Sequence, residues 1–374
     1  MAADALTPAP SAARALLGAL ADVAAGGASS ASAPPGIAAW LAAHDLAALG
    51  RAAFGPGDPV LASALAAEAL GAAASNAVHL ATARTIEGQF EADGIGMVLL
   101  KGAAIAPSAY ADASLRPMTD VDVWVRDDEM SRAVSALGTL GFRQVAGLES
   151  RPPALQRRSG GELVFRAERG PGLVELHFSP FPGWWIARTA SPDLEGLWSR
   201  SVPVGAGRHA RRLAADDACL QTAFHVVVNQ FGQAPLRGLM DLAVLARAFS
   251  IDWSAVVARA RAYRLTHATW IALDIAERLI GVPGAAAAIA ALRPPRPRRI
   301  ALRAFATPRS VLARRDLTRA SRRHPFMLVL VERRRDAARL VGRTVWPESW
   351  WIEARHGHAS RRLRHLGGLL RGEV

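Results

Sequence analysis

Residues 98–125 read VLLKGAAIAPSAYADASLRPMTDVDVWV, and the reading of this stretch decides the fold class. A short apolar run leads into a Lys101-Gly102 turn, and the stretch ends in a β-branched segment carrying Asp120 and Asp122. Along a strand, residues i and i+2 share a face, so the two carboxylates point one way while Val121, Val123 and Val125 point the other. Two like charges held that close need a cation. Taken alone, the pattern also describes a half-buried edge strand with a polar face. Lys101 is the single lysine beside 44 arginines. A coding bias toward arginine accounts for that ratio, whereas a tight turn facing phosphate favours a compact ammonium over a planar guanidinium.

Working outward, Pro59 to Ala92 shows a long helical pattern that stops at Asp93-Gly94, and GMVLLKG reads as a buried strand entering a turn. Ala103 to Ala111 reads as a short helix, bent or limited by Pro107, whose first amides sit where an anion is held well. Downstream, Phe142 to Val145 reads as a strand, followed by a hairpin of Glu162 to Ala167 with Leu173 to Phe178. Within LVELHF, Glu175 and His177 alternate with apolar neighbours and share a face, which supplies a third carboxylate. From Asp216 onward the pattern is helical, through 216–231, 236–249, 253–263, 265–281 and arginine-rich helices beyond Pro294. Residues 1–14 and 26–36, rich in small residues and proline, read as a loose lead-in around a short helix. The expected class is α+β, a small mixed β-sheet core with extensive N- and C-terminal helical regions. Its expected divisions are a helical lead-in at 1–94, the sheet core at 95–210, a helical region at 211–292 and an arginine-rich tail at 293–374. The Pro-Arg run at 292–299 is the expected linker.

At 374 residues the chain is long enough to bury a sizeable core. Its charge of +13 is uneven: residues 290–374 hold 21 arginines against six acids, a surplus of +15, leaving −2 for residues 1–289. Such a tail suits a nucleic acid, an anionic membrane surface or an acidic partner, and it equally describes solvated arginine-rich helices. A single cysteine, Cys219, in an apolar run excludes an internal disulfide framework and a multi-cysteine zinc site, and reads as core. The start, MAADALTPAP, lacks the basic residues of a secretory leader, and no apolar run reaches membrane-spanning length, so the expectation is a cytoplasmic protein.

A Lys-Gly turn before a helix, an Asp-x-Asp strand and a later acid-bearing strand together resemble the nucleotidyltransferase fold of the DNA polymerase β superfamily. The resemblance is closest to the uncharacterised bacterial nucleotidyltransferase-like family. It is carried by Leu100-Lys101-Gly102, Tyr110, Arg116, Asp120-Val121-Asp122 and Glu175-Leu176-His177, and it continues into His225, Arg237 and Asp241, covering about residues 60–285. It implies transfer of a nucleoside monophosphate from a nucleoside triphosphate such as ATP to an acceptor that is a small molecule, a protein or RNA, with pyrophosphate leaving. Asp120, Asp122 and Glu175 are implied to be catalytic and to ligate Mg2+ or Mn2+. Lys101, Gly102 and Arg116 are implied to bind the nucleotide's phosphates. His177, Tyr110, Arg237 and Asp241 are implied to stand behind them. The chain departs from the wider superfamily in having Ala103, without a hydroxyl, in the turn, and glutamate in place of aspartate as third acid.

Plainer readings stand beside these. Arg237 and Asp241, four apart, also fit a surface ion pair worth about 0.3–0.5 kcal/mol, and His225 fits a core or helix–helix position. Trp184-Trp185 fits either a base-stacking platform or a plug at a joint. His356, His358 and His365 in the tail read as solvated. Two other functions share the same residues: a catalytically inactive nucleotide- or partner-binding scaffold, and an RNA- or DNA-associated factor acting through residues 293–374.

Overall fold

The computed structural model describes residues 7–29, 31–145, 156–157, 161–183, 185–230, 235–313, 320–358 and 362–371. One mixed sheet lies among many helices, as the α+β expectation holds. Its strands are β1 (Val98–Leu99), β2 (Val121–Trp124), β3 (Phe142–Gln144), β4 (Glu162–Ala167), β5 (Leu173–His177), β6 (Val202–Pro203) and β7 (Arg211–Arg212). They run in the order β3-β4-β5-β2-β1-β7-β6. The short strands β6 and β7 carry no legible alternation and were not expected from the sequence. The Asp-x-Asp strand β2 is central, antiparallel to β1 and parallel to β5, which removes the edge-strand reading.

The period-two alternation sorts the sheet's faces. Val121, Val123, Leu163, Phe165, Val174 and Leu176 pack with Ala83, Ile86 and Phe90 of helix Ala66–Ala92 and with Ala133 and Leu137 of helix Met130–Thr139. Burying one such side chain contributes about 1.5–3 kcal/mol, so a one-residue slip of β2 would expose several at once. Asp122, Glu175 and His177 therefore point to the opposite face, which the C-terminal helices cover.

Helix Lys101–Ala109 follows β1 with no intervening loop. Lys101 takes a left-handed backbone (φ 46°), a conformation costing an L-residue roughly 1–2 kcal/mol and one that the surrounding contacts must hold. At Gly102, an added Cβ would overlap Arg116 Nη1 and stand 2.7 Å from Met118 Cγ, so the turn tolerates only glycine there without rearrangement. The expected Pro59–Ala92 helix is two helices, Pro59–Ala64, capped by Asp58, and Ala66–Ala92.

The short helix expected within the lead-in is Pro10–Ala24, which takes in residues 10–14 of the stretch read as loose. Helix Pro10–Ala24 buries Ala13, Leu16, Leu17, Leu20, Ala21 and Ala24 in the larger core, a face that its alanine-rich composition conceals. That core also takes Leu302, Val311, Leu312, Phe326, Leu330, Val331 and Leu340 from the arginine-rich segment. Polar ties reinforce the joint: Trp40 Nε1 donates to the Leu312 carbonyl at 3.2 Å, and Glu332 accepts the Thr266 amide at 2.6 Å. The expected linker at 292–299 instead runs straight into helix Arg296–Phe305, with Leu292 buried. His365 is buried as well, bonded to the Thr344 carbonyl at 2.8 Å, so the solvated reading fails for that residue. Arg296, Arg334, Arg335, Arg339 and Arg343 lie exposed on the outer side of helices whose apolar stripes face inward. Truncation after residue 292 is expected to abolish a cooperative thermal transition, checked by circular dichroism and calorimetry; a sharp transition within a few degrees of the full chain would contradict this packing.

Candidate active site

The sheet register brings the site together. In the parallel pairing of β2 and β5, Asp122 lies opposite Glu175, and in the antiparallel pairing of β4 and β5, Glu162 lies opposite His177. All four side chains share the polar face, and Asp120 stands just before β2 on the same side. Asp122 Oδ1 accepts from Lys101 Nζ at 2.6 Å and lies 2.8 Å from His177 Nε2. Glu175 Oε2 is 3.4 Å from Lys101 Nζ and 3.5 Å from His177 Nε2. His177 is fully buried, and its Nδ1 lies 3.6 Å from Glu162 Oε2, beyond a good hydrogen bond.

Charge crowding sets the proton affinities. Burial opposes a charged Lys101, but the fields of Asp122 and Glu175 outweigh it and hold the ammonium protonated. Burial likewise opposes an imidazolium at His177, yet its bonds to Asp122 and Glu175 raise it to about 9, so it donates from Nε2 to Asp122. Burial would lift Glu175, but His177 and Lys101 pull it far below the usual carboxylate range. Asp120 is pushed up to about 7 by burial and by the charges of Asp122 and Glu175. Glu162 is also raised, chiefly by burial. His225 is driven well below its ordinary value by burial and by Lys101, and is neutral.

Lys101, Asp120, Asp122, Glu162 and Glu175 line a cavity of about 240 Å3 with Gly102, Arg116, Met118, His225 and Arg237, and His177 is buried behind Asp122. The donor set fits a hard divalent cation. Asp120, Asp122, Glu162 and Glu175 stand against Lys101, Arg237 and the His177 imidazolium, four negative charges against three positive once Arg116 is set aside with its own partner. Burial first, and then the charges of Asp122 and Glu175, raise Asp120, and a hard divalent cation would relieve the second of these causes. Asp122, Glu175 and His177 have ligand atoms within 4.8 Å of one another. Because His177 donates to Asp122, a cation bound here would meet the carboxylate oxygens, with the imidazolium orienting one of them.

All three expected phosphate binders, Lys101, Gly102 and Arg116, line the cavity, and both cations among them also hold carboxylates. Lys101 turns onto Asp122 and Glu175, because the carboxylates offer its buried ammonium the nearest countercharge. Arg116 is buried in a forked pair with Asp241: Nη2 donates to Oδ2 at 2.8 Å and Nε to Oδ1 at 3.0 Å. Tyr110 Oη also donates to Asp241 Oδ1, at 2.8 Å. The plainer reading of Arg237 and Asp241 as a surface pair gives way to a buried Arg116–Asp241–Tyr110 cluster, while Arg237 faces the cavity, 3.8 Å from Asp45. Gly102 is the second residue of the Lys101–Ala109 helix, in which Ala104 N–H bonds back to the carbonyl of the capping residue Leu100, so the amides of residues 101–103 have no partner within the helix. Trp185 is buried in the core and so is no stacking platform; Trp184 lies outside the described residues.

Sequence reasoning missed Glu162 and Asn76. Glu162 was legible only as a strand start; the hairpin register, not its spacing, sets it beside His177. Asn76, buried in an alanine-rich helix, donates to the carbonyls of Ala113 and Arg116 at 2.7 and 2.8 Å and accepts from the Met118 amide at 2.9 Å, fixing the loop that carries Arg116. A lone amide amid alanines was its only signal.

Residues 38–281 match the family described as uncharacterised nucleotidyltransferase, and the chain belongs to that family. The match begins upstream of residue 60 and so takes in helices Ala38–Ala43 and Ala47–Phe54, which the motifs alone had left outside. Among curated proteins, none matches this sequence. Among the described residues, no helix is long and apolar enough to cross a membrane.

Two measurements check this geometry. Removing one partner of a buried ion pair strands the other charge, so Arg116→Ala and Asp241→Ala are each expected to cost about 3–5 kcal/mol by denaturant unfolding, and Arg116→Met with Asp241→Leu together less than their sum. Asp120 binds its proton more tightly in the folded chain than at its ordinary 3.8, so its contribution to stability is fully present below that value and decays as pH rises toward 7. With chelator present, Asp120→Asn is expected to flatten this decline and to be the more stable protein at pH 8, by on the order of 2–4 kcal/mol at about 1.4 kcal/mol per pKa unit. Superimposable pH–stability curves would contradict it.

Proposed function

We propose that this chain is a divalent-metal-dependent nucleotidyltransferase that moves a nucleoside monophosphate from a nucleoside triphosphate to a hydroxyl-bearing acceptor. The observation that carries the reading is the register pairing of Asp122 with Glu175 on one face of the central strands, with Asp120 beside them. Asp120, Asp122 and Glu175 would hold Mg2+ or Mn2+, which when bound supplies neutralisation of phosphate charge and polarisation of the α-phosphorus. The protein's own part is positioning. His177 fixes the Asp122 carboxylate, Lys101 spans Asp122 and Glu175, and the unpaired amides at the start of helix Lys101–Ala109 offer donors to phosphate oxygens. In the transfer, the acceptor oxygen bonds to the α-phosphorus as the bond to pyrophosphate breaks, and the hydroxyl proton passes to a carboxylate of the pocket. Glu175, held strongly ionised, suits ligation better than proton uptake; the raised Glu162 suits the latter.

The test is incubation with each labelled triphosphate and magnesium or manganese in cell extract, followed by separation of protein, RNA and small molecules. Label is expected in one fraction, together with pyrophosphate release. Asp122→Asn and Glu175→Gln are each expected to reduce turnover more than about a hundredfold, beyond the range of changes that only orient a ligand. Unchanged turnover in both variants would refute the reading.

A further inference from the structure

We infer that Arg237, on the helical region opposite the sheet, is the cation that grips the terminal phosphates of the donor nucleotide, so that the helical region and the sheet hold one substrate between them. The inference rests on the nucleotidyltransferase reading and assigns within it the residue that selects a polyphosphate. Three cationic side chains of lysine or arginine line the cavity. Lys101 is committed to Asp122 and Glu175 at 2.6 and 3.4 Å. Arg116 is committed to Asp241 by a forked pair. Among the described residues, Arg237 has only Asp45 as a countercharge at 3.8 Å, outside hydrogen-bond reach and on a side chain nearly half exposed, and its buried Nε has no hydrogen-bond partner.

An orphaned guanidinium donor in a cavity is costly unless something pairs with it, and its fork geometry matches phosphate oxygens. Arg237 also lies in the first turn of helix Pro235–Ala248, where the positive end of the helix dipole adds to its field. The carboxylates, by contrast, sit on the sheet across the cavity. Cations for the metal-binding end and for the polyphosphate end are thus separate side chains on separate elements.

Inorganic tripolyphosphate tests this without requiring the base preference. Its affinity is measured by calorimetry in the presence of Mg2+ for the full chain, Arg237→Gln and Arg237→Lys, with Mn2+ affinity by electron paramagnetic resonance as the control. Arg237→Gln is expected to weaken tripolyphosphate at least tenfold with Mn2+ affinity unchanged, and Arg237→Lys, which keeps charge without the fork, to fall between. Tripolyphosphate affinity within twofold of the parent in both variants would overturn the inference and leave the transferase reading standing. Parallel loss of Mn2+ affinity would overturn it too, by showing a structural role. A parent chain that binds neither tripolyphosphate nor any nucleoside triphosphate would sink both.

Discussion

Crowded negative charge on one face of the β2–β5 pair governs this structure. Asp122 and Glu175 are forced side by side by parallel strand register, with Asp120 just upstream and Glu162 one strand over. In a partly buried setting such a cluster survives only with cations supplied to it, and the fold supplies an ammonium and an imidazolium at hydrogen-bond distance. That demand explains the left-handed backbone at Lys101 and the need for glycine next to it: helix Lys101–Ala109 must start without a loop for the ammonium to lie over β2.

A second charged cluster keeps the first in place. Arg116, Asp241 and Tyr110 join the loop before β2 to helix Pro235–Ala248, the same helix that carries Arg237 to the cavity. Asn76 holds that loop from the other side by three hydrogen bonds to main-chain groups. The cavity walls are therefore set by buried polar contacts with few alternative partners, a condition that favours one arrangement of the site over many. The inward apolar stripes of the tail and of helix Pro10–Ala24 back the helical wall, so segments distant from the chemistry still support it.

The match between sequence and structure was uneven for physical reasons. Alternation in DVDVWV and LVELHF was readable because a strand buried on one face and polar on the other leaves a period of two, and the carboxylates fell where that period put them. The helices of the tail and the N-terminal helix were expected, but their packing into the core was not legible because arginine and alanine mask an amphipathic stripe: arginine stems cover apolar surface while their heads stay in water. Strands β6 and β7, two residues each, are too short to leave a pattern.

What the sequence determined by itself was the α+β class, the strand carrying Asp120 and Asp122, the shared face of Glu175 and His177, and the family to which residues 38–281 belong. These depend on local periodicity and on short ordered motifs. Which cation meets which anion was decided only in three dimensions: Lys101 went to the carboxylates, Arg116 to Asp241, Glu162 to the side of His177, and Arg237 to the cavity. Charge pairing is settled by distance and desolvation among residues far apart in the chain, and spacing along the sequence carries neither.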